Sequence, residues 1–289
     1  MNSDDLKVFL AVAEECSVTK AAERLGYVQS NVTARIQQLE THLGTKLFHR
    51  HARGMSVTPE GNTLRSYAEK IMYLLEDARR DVQDSATPRG PLSIGSIDTA
   101  AAVRVPTVLA KYHDNYADVD LSLVTGSSEY LLEQVLRSQL DGAFVNGPIE
   151  HVDLIQETIF REELVLVSNR QEMDPAVLKG KTLLVFRRGC TYRAKLEQWL
   201  STEGIATPRT MEFGNLDAIL GGVRAGLGVT LLPKSVVERL EADGSVSTYP
   251  IPSPHGQAST VFIRRQDRFV TSALSAFMGI LQSQFWLLD

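Results

Sequence analysis

The sequence predicts an α/β protein built of unlike parts: a small helix-rich head, a long connecting helix and a body of two α/β lobes. Three observations predict it. Residues 17–50 hold two short amphipathic helical patterns joined at a glycine, residues 64–82 carry apolar side chains at alternating spacings of four and three, and from residue 92 short apolar runs alternate with helical patterns. That last stretch divides into two similar series, 92–160 and 165–262.

In the head, Ala21, Ala22 and Leu25 lie one turn apart and Gly26 supplies a left-handed helix end. Val32, Ile36, Leu39 and Leu43 then recur at intervals of four, three and four, which buries one face of a second helix. Its other face offers Ser30, Asn31, Thr33, Ala34, Arg35 and Gln37, with Gln29 at the start. Asn and Gln bond adenine edges bidentately, Arg does so with guanine, Ser and Thr reach base or phosphate, and Ala fits a thymine methyl. The helix 29–39 is therefore equipped to read double-stranded DNA, with Gln29, Asn31, Thr33 and Arg35 at bases. Ser17 or Thr19 caps the helix before it and offers a hydroxyl or amide to phosphate. Leu47 and Phe48 plug the core, and His49, Arg50, His51 and Arg53 form a basic segment before Gly54, a wing that reaches the DNA backbone. A helix pair without such a role is the plainer alternative. It seldom gathers Gln, Asn, Thr and Arg on one face beside a basic loop.

Thr58-Pro59-Glu60 opens the long helix, with Thr as cap, Pro in the first turn and Glu at the positive end of the dipole. Along it Leu64, Ala68, Ile71, Leu75, Ala78 and Val82 form a heptad seam. The seam is expected to pair two chains, since a reader of two-fold symmetric DNA needs fixed half-site spacing. The alternative is a surface helix lying on its own domain. Ser85-Ala86-Thr87-Pro88-Arg89-Gly90-Pro91 then reads as a hinge.

In the body the expected strands are LSIGSI, VDLSLV, DGAFV, ELVLVS, TLLVFR, RTMEF, GVTLLP, VSTYPI and STVFIR, with helices at 104–116, 128–139, 192–203, 216–225 and 267–286. Such alternation predicts a mainly parallel sheet in each lobe and a ligand cleft between the lobes. Ligands of open α/β sheets sit beyond the carboxyl ends of strands, often at helix N-termini. That rule selects Ser96, Asp98 and Thr99; Gly126, Ser127 and Ser128; Asn146; Cys190, Thr191 and Arg193; and Asn215. Hydroxyls and free amides suit a carboxylate, with Arg193 as countercharge, so a small organic acid is the expected effector. Any one of these residues could instead only cap a helix, and Asp98 and Asp217 point the other way, toward an amine. Cys190 lies near Arg187, Arg188 and Arg193, which leaves two readings, a reactive thiolate or a small, partly buried cleft residue.

The net charge of −5 on 289 residues is unevenly placed: residues 1–58 carry +1, 59–90 carry −1 and the remainder −5. A near-neutral head binds DNA through placed cations and gains from pairing. Two distant cysteines, Cys16 and Cys190, fit reduced cytoplasmic usage. Acidic residues flank a short apolar run at the N-terminus, unlike a signal peptide, and no run has membrane-spanning length, so a cytoplasmic protein without membrane contact is expected. There is no P-loop, G-x-S-x-G elbow or H-E-x-x-H; Gly221-Gly222 and Gly226-x-Gly228 precede a strand, unlike a dinucleotide fingerprint. No catalytic residue and no cofactor are expected. His49 and His51 lack acidic or thiol partners, so no metal site is expected either.

Leu6-x-x-Phe9-x-x-Val12-Ala13, Ala21-Ala22-x-x-Leu25, Gln29-Ser30, Leu39-Glu40-x-x-Leu43-Gly44, Leu47-Phe48-x-Arg50 and Thr58-x-x-Gly61 together resemble the winged helix-turn-helix of LysR-type transcriptional regulators. Thr33 stands where many relatives have Ser, and the hydroxyl is kept. The resemblance implies a DNA-binding regulator that assembles as a dimer of dimers and acts on the transcription machinery. It also implies a sensor resembling type 2 periplasmic binding proteins. The expected domains are 1–58 (DNA-binding), 59–90 (linker helix and hinge) and 91–289 (sensor), with lobe I at about 91–162 and 265–289 and lobe II at about 163–264. The competing function is an α/β enzyme or solute-binding protein with an accessory DNA-binding head.

Overall fold

The computed structural model describes residues 1–51, 54–83, 86–169, 178, 180–205 and 209–285. Two compact units emerge, Met1–Gln83 and Asp84–Asp289.

The head begins with α1 (Ser3–Glu15), held by a capping box in which Asn2 and Asp5 bond each other's backbone amides. Then come α2 (Val18–Leu25), capped by the Ser17 hydroxyl, and α3 (Gln29–Leu43). Gly26 and Gly44 end these helices in the left-handed conformation, each with φ of 68°. Strands β1 (Phe48–His51) and β2 (Gly54–Val57) pair antiparallel as the wing, and α4 (Pro59–Gln83) follows. Phe9, Val12, Ala21, Val32, Ile36, Leu39, Leu47 and Phe48 form the core. Two positions explain how the wing is fixed to it. The buried Glu40 accepts from the Leu47 amide at 3.0 Å and from Lys46 Nζ at 2.7 Å. Gly61 lets α4 start against β1, because a Cβ there would stand 2.3 Å from the Leu47 carbonyl oxygen.

Two expectations for the head change. Leu43, read as core, is 39% exposed, since it falls on the last turn before Gly44. The seam on α4 also divides: Ala68 is fully buried in the head's own core, and Leu64, partly buried, packs against that core. The exposed apolar surface runs through Ile71, Leu74, Leu75 and Val82, with Ala78 exposed among them. Ser85 of the expected hinge lies outside the described residues.

The body's first lobe has β3 (Gly90–Ser96), α5 (Asp98–Val103), α6 (Val105–Asn115), β4 (Val119–Thr125), α7 (Ser128–Leu136) and β5 (Gly142–Gly147). Strand β6 (Leu154–Ser168) then leads into the second lobe's β7 (Leu183–Phe186), α8 (Thr191–Thr202), β8 (Thr210–Phe213), α9 (Leu216–Arg224), β9 (Thr230–Pro233), α10 (Lys234–Ala242) and β10 (Ser247–Pro250). The chain returns through β11 (Gln257–Arg265) and ends its described part with α11 (Ser272–Phe285). The large sheet runs β10-β6-β11-β5-β3-β4, with β9 also on β6.

This sheet is mixed, not mainly parallel. In it β3–β4 and β3–β5 are parallel, whereas every pairing of β6 and β11 is antiparallel; β7 and β8 form a separate parallel pair. β6 is the reason: Leu154–Glu163 pairs with β11, while Leu164–Ser168 pairs with β9 and β10. One strand thus belongs to both lobes. The return crossing is also earlier than expected. β11 pairs with β5, Val261 opposite Val145, which assigns Gln257–Arg265 to lobe I and ends lobe II before it.

Candidate functional site

In the head, Gln29, Ser30, Asn31, Ala34 and Gln37 are exposed on α3, and Thr33 and Arg35 are half-buried. α3 has Val28 as its N-cap residue, with no capping side chain and no acid in its first turn, so its leading amides are open to an anion. Thr33 donates its hydroxyl to the Gln29 carbonyl at 3.0 Å, which leaves it only as an acceptor in this state. Arg35 donates from Nε to Asn31 Oδ1 at 3.1 Å and from Nη1 to Asp5 Oδ1 at 2.9 Å, with its guanidinium 6.0 Å from the Tyr27 ring centre. Asp5 and Tyr27, which the helix pattern does not single out as partners of the DNA-reading face, therefore set how Arg35 is presented. Thr19 is exposed and Ser17 half-buried on α2's leading edge; Arg50 is exposed on β1, and Arg53 lies outside the described residues. His51 bonds Ser56 at 2.8 Å across the wing.

Glu40 shows what the head spends a buried charge on. Burial pushes its carboxyl up, but the Lys46 ammonium and the Leu47 and Phe48 amides outweigh that and hold it below the ordinary carboxylate value.

In the body a cavity of about 390 Å³ opens between the lobes. Lobe I contributes Asp98, Thr99, Gly126, Ser127, Ser128 and Asn146, and lobe II contributes Cys190, all of them expected. These meet for a topological reason. Ser96 on β3 is in register with Thr125 on β4 and Phe144 on β5, so three strand ends deliver their loops side by side. Ser127 caps α7, accepting from Tyr130 N at 3.2 Å, and Ser128 Oγ accepts from Asn146 N at 3.1 Å.

Four expected residues lie elsewhere. Ser96 is fully buried and donates its hydroxyl to the Ile97 carbonyl, Thr191 is the first residue of α8, and Asn215 caps α9 through Ala218 N. Arg193 is not a countercharge for the cavity: it pairs with Glu197 at 2.9 Å and Glu212 at 2.8 Å. The cations that do line the cavity are the exposed Arg187 and Arg188, and its aromatic wall is Tyr130, Phe186, Tyr192 and Phe213. Arg187 and Arg188 were visible in sequence as neighbours of Cys190. Tyr192 follows Cys190 and Thr191 in a loop that the strand-end rule selects, whereas Tyr130, Phe186 and Phe213 carried no signal beyond ordinary core patterning.

Thr99 and Tyr192 join the lobes through a 3.1 Å hydroxyl–hydroxyl bond. Burial pushes the Tyr192 phenol well up, partly offset by bonds to Thr99 and Asn146. Burial also raises the Cys190 thiol, outweighing the amides of Arg193 and Tyr192 that favour the thiolate. Of the two readings of Cys190, burial and the nearby Asp98 charge favour the small, partly buried cleft residue over the reactive thiolate. Asp98 itself is raised by burial.

A winged helix-turn-helix and a two-lobed ligand cleft in one chain define a ligand-responsive DNA-binding regulator. The chain belongs to the LysR family: the model of the LysR substrate binding domain matches residues 85–286, and that of the bacterial regulatory helix-turn-helix protein, lysR family, matches residues 3–62. The HTH-type transcriptional regulator YusT of Bacillus subtilis is 51% identical over 278 residues, covering 96% of this chain and 94% of that protein. GltR of the same organism, also an HTH-type transcriptional regulator, is 48% identical over 290 residues, covering 99% and 97%. Among solved structures, full-length OxyR from Pseudomonas aeruginosa superposes with a TM-score of 0.70 at 22% identity, over 99% of this chain and 95% of that one. Full-length CbnR complexed with its target DNA gives 0.69 at 22%, over 98% and 99%. The protein is thus a DNA-binding transcriptional regulator with an effector-binding domain, not an enzyme, and an enzyme or solute-binding protein with an accessory head is not favoured. Among the described residues no helix is long and apolar enough to cross a membrane, and no cluster of three His, Cys, Asp or Glu side chains is placed to hold a metal.

Proposed function

We propose that this regulator reads its operator with Gln29, Asn31, Thr33 and Arg35 at base edges, with Ser30 on the same face and Ser17, Thr19, Arg50 and Arg53 at phosphates. The exposed polar face of α3, open-ended toward an anion, supports that assignment. Two chains pair through the exposed part of the α4 seam around Ile71, Leu75, Ala78 and Val82, and dimers pair again to a tetramer. The protein works in the cytoplasm, where it acts on the transcription machinery at its operator.

The effector is a small organic acid held in the cavity between the lobes. One observation carries this reading: hydroxyls of Ser127 and Ser128, the N-terminus of α7 and the guanidinium groups of Arg187 and Arg188 line one cavity of about 390 Å³. Binding there draws the lobes together about β6 and β11, changing how sensor domains pack and how the heads are spaced on DNA. Fluorescence anisotropy on the chain's own upstream DNA tests the output end. Binding at low salt that weakens on Gln29→Ala or Arg35→Ala supports it, and no binding at low salt contradicts it.

A further inference from the structure

Two features of the cavity remain without a role if its ligand is only an acid. The first is Asn146, 5% exposed at the end of β5, which lines the cavity with an Oδ1 that has no hydrogen-bond partner among the described residues. A buried carbonyl oxygen of this kind is costly unless something donates to it. The second is Asp98, at the first position of α5, whose carboxylate lines the same cavity and has no cation paired with it among the described residues. Burial disfavours its charge, and no neighbouring cation counters that. The Asn146 side chain bonds Tyr192, but an acid alone would leave its Oδ1 without a donor and would meet Asp98 as a like charge.

Taking the cleft as the effector site, we infer that the acid also carries an ammonium group on the carbon next to its carboxylate, as in an α-amino acid. An ammonium is a three-fold donor, and Asp98 and Asn146 supply a charged and a neutral acceptor for it. The carboxylate takes the hydroxyls of Ser127 and Ser128 and the first amides of α7. Spacing favours the α-substituted ligand over a longer one. β3 and β4 are adjacent in register, Ser96 opposite Thr125, so the loops bearing Asp98 and Ser127 leave the sheet one strand spacing apart, about 5 Å. The acceptor pole and the donor pole are therefore neighbours on lobe I. The remainder of the ligand points to lobe II, where Phe186, Phe213, Arg187 and Arg188 line the cavity.

The test is calorimetry and thermal shift on the full chain with each of the twenty standard L-amino acids, and with the desamino acid and the decarboxylated amine of every one. At least one amino acid is expected to bind, with both truncated partners weaker by roughly tenfold or more in Kd. Asp98→Asn is expected to lose the amino acid by a similar factor while its ligand-free Tm does not fall, because the replaced carboxylate is half-buried with no cation paired to it among the described residues, and Asn keeps an acceptor for the backbone amide at this position. A desamino acid that binds as tightly as its amino acid, or Asp98→Asn binding the amino acid as wild type does, overturns the inference and leaves the acid-binding cleft standing. Failure of every amino acid and every acid overturns both.

Discussion

Asp5 on α1 divides its carboxylate between two tasks: Oδ2 accepts from the Asn2 amide at 3.0 Å, and Oδ1 accepts from Arg35 Nη1 on α3 at 2.9 Å. The capping group of the first helix thereby fixes the guanidinium that the recognition helix presents. An arginine held from two sides loses less rotamer freedom when it grips a base. Arg35→Ala is expected to cost about 1–3 kcal/mol at one base pair of the operator. Asp5→Asn keeps the cap but loosens the grip, so discrimination at that same base pair should fall while affinity for non-specific DNA does not. Anisotropy on an operator and its single-pair variants checks both. Equal loss on all sequences would mark Arg35 as a phosphate contact instead.

Glu40 links the recognition helix to the wing, and its folded-state pKa lies below the ordinary value of 4.5. A depressed carboxylate contributes stability that is fully present above the unfolded pKa and is lost as pH falls through the folded one. Glu40→Gln should therefore destabilise the head at neutral pH by about 1–3 kcal/mol, as a buried charged acceptor is lost. The gap to wild type should close in acid below pH ~4. Urea unfolding followed by circular dichroism across that range shows whether it does.

Cys190 and Cys16 are chemically unlike despite both being free thiols. Desolvation raises the Cys190 thiol, whereas Cys16 is exposed. Alkylation by iodoacetamide at pH 7.5 is expected to label Cys16 first, with Cys190 protected further by any cleft ligand. Peptide mass mapping over time reads the order. Preferential labelling of Cys190 would restore the redox reading of the cleft.

Ile71 and Leu75 sit on the exposed stretch of α4, beyond the point where Ala68 has turned into the head's own core. Replacing both with Glu should shift the dimer to monomer by light scattering while leaving thermal unfolding of the head within about 1 kcal/mol of wild type, as for exposed sites. An intact dimer would move the interface elsewhere.

The head was legible in sequence because its information is local. Helix periodicity, the Ser17 cap and the glycines at 26 and 44 all act within a few residues, and Glu40 and Gly61, quoted only as parts of a motif, turn out to anchor the wing. The body was legible only as an alternation. The first half of β6, where Gln156, Glu157, Arg161 and Glu162 interrupt the apolar residues, did not read as a strand, and α10 has Pro233 as its N-cap residue, with no capping side chain to announce it. The cleft follows the same divide. Its Ser, Thr, Asp and Asn residues obey the strand-end rule, whereas Phe186, Phe213 and Tyr130 are brought in by packing across lobes. Arg193 was misassigned although its partner Glu197, four residues on, was in plain view.

On the proposed function, what occupies the inter-lobe cavity and how tightly α3 holds DNA are one linked equilibrium. Linkage makes this reciprocal: a ligand that changes operator affinity by some factor must have its own affinity changed by the same factor when operator is bound. The decisive measurement is the calorimetric Kd of the cleft-binding amino acid, taken on the free protein and on its saturated operator complex, beside the operator Kd with and without that amino acid. The two ratios are expected to be equal and to differ from one, with Asp98→Asn needing roughly tenfold more amino acid to reach the same effect on operator binding. Ratios of one, with tight binding at both sites, would contradict this linkage.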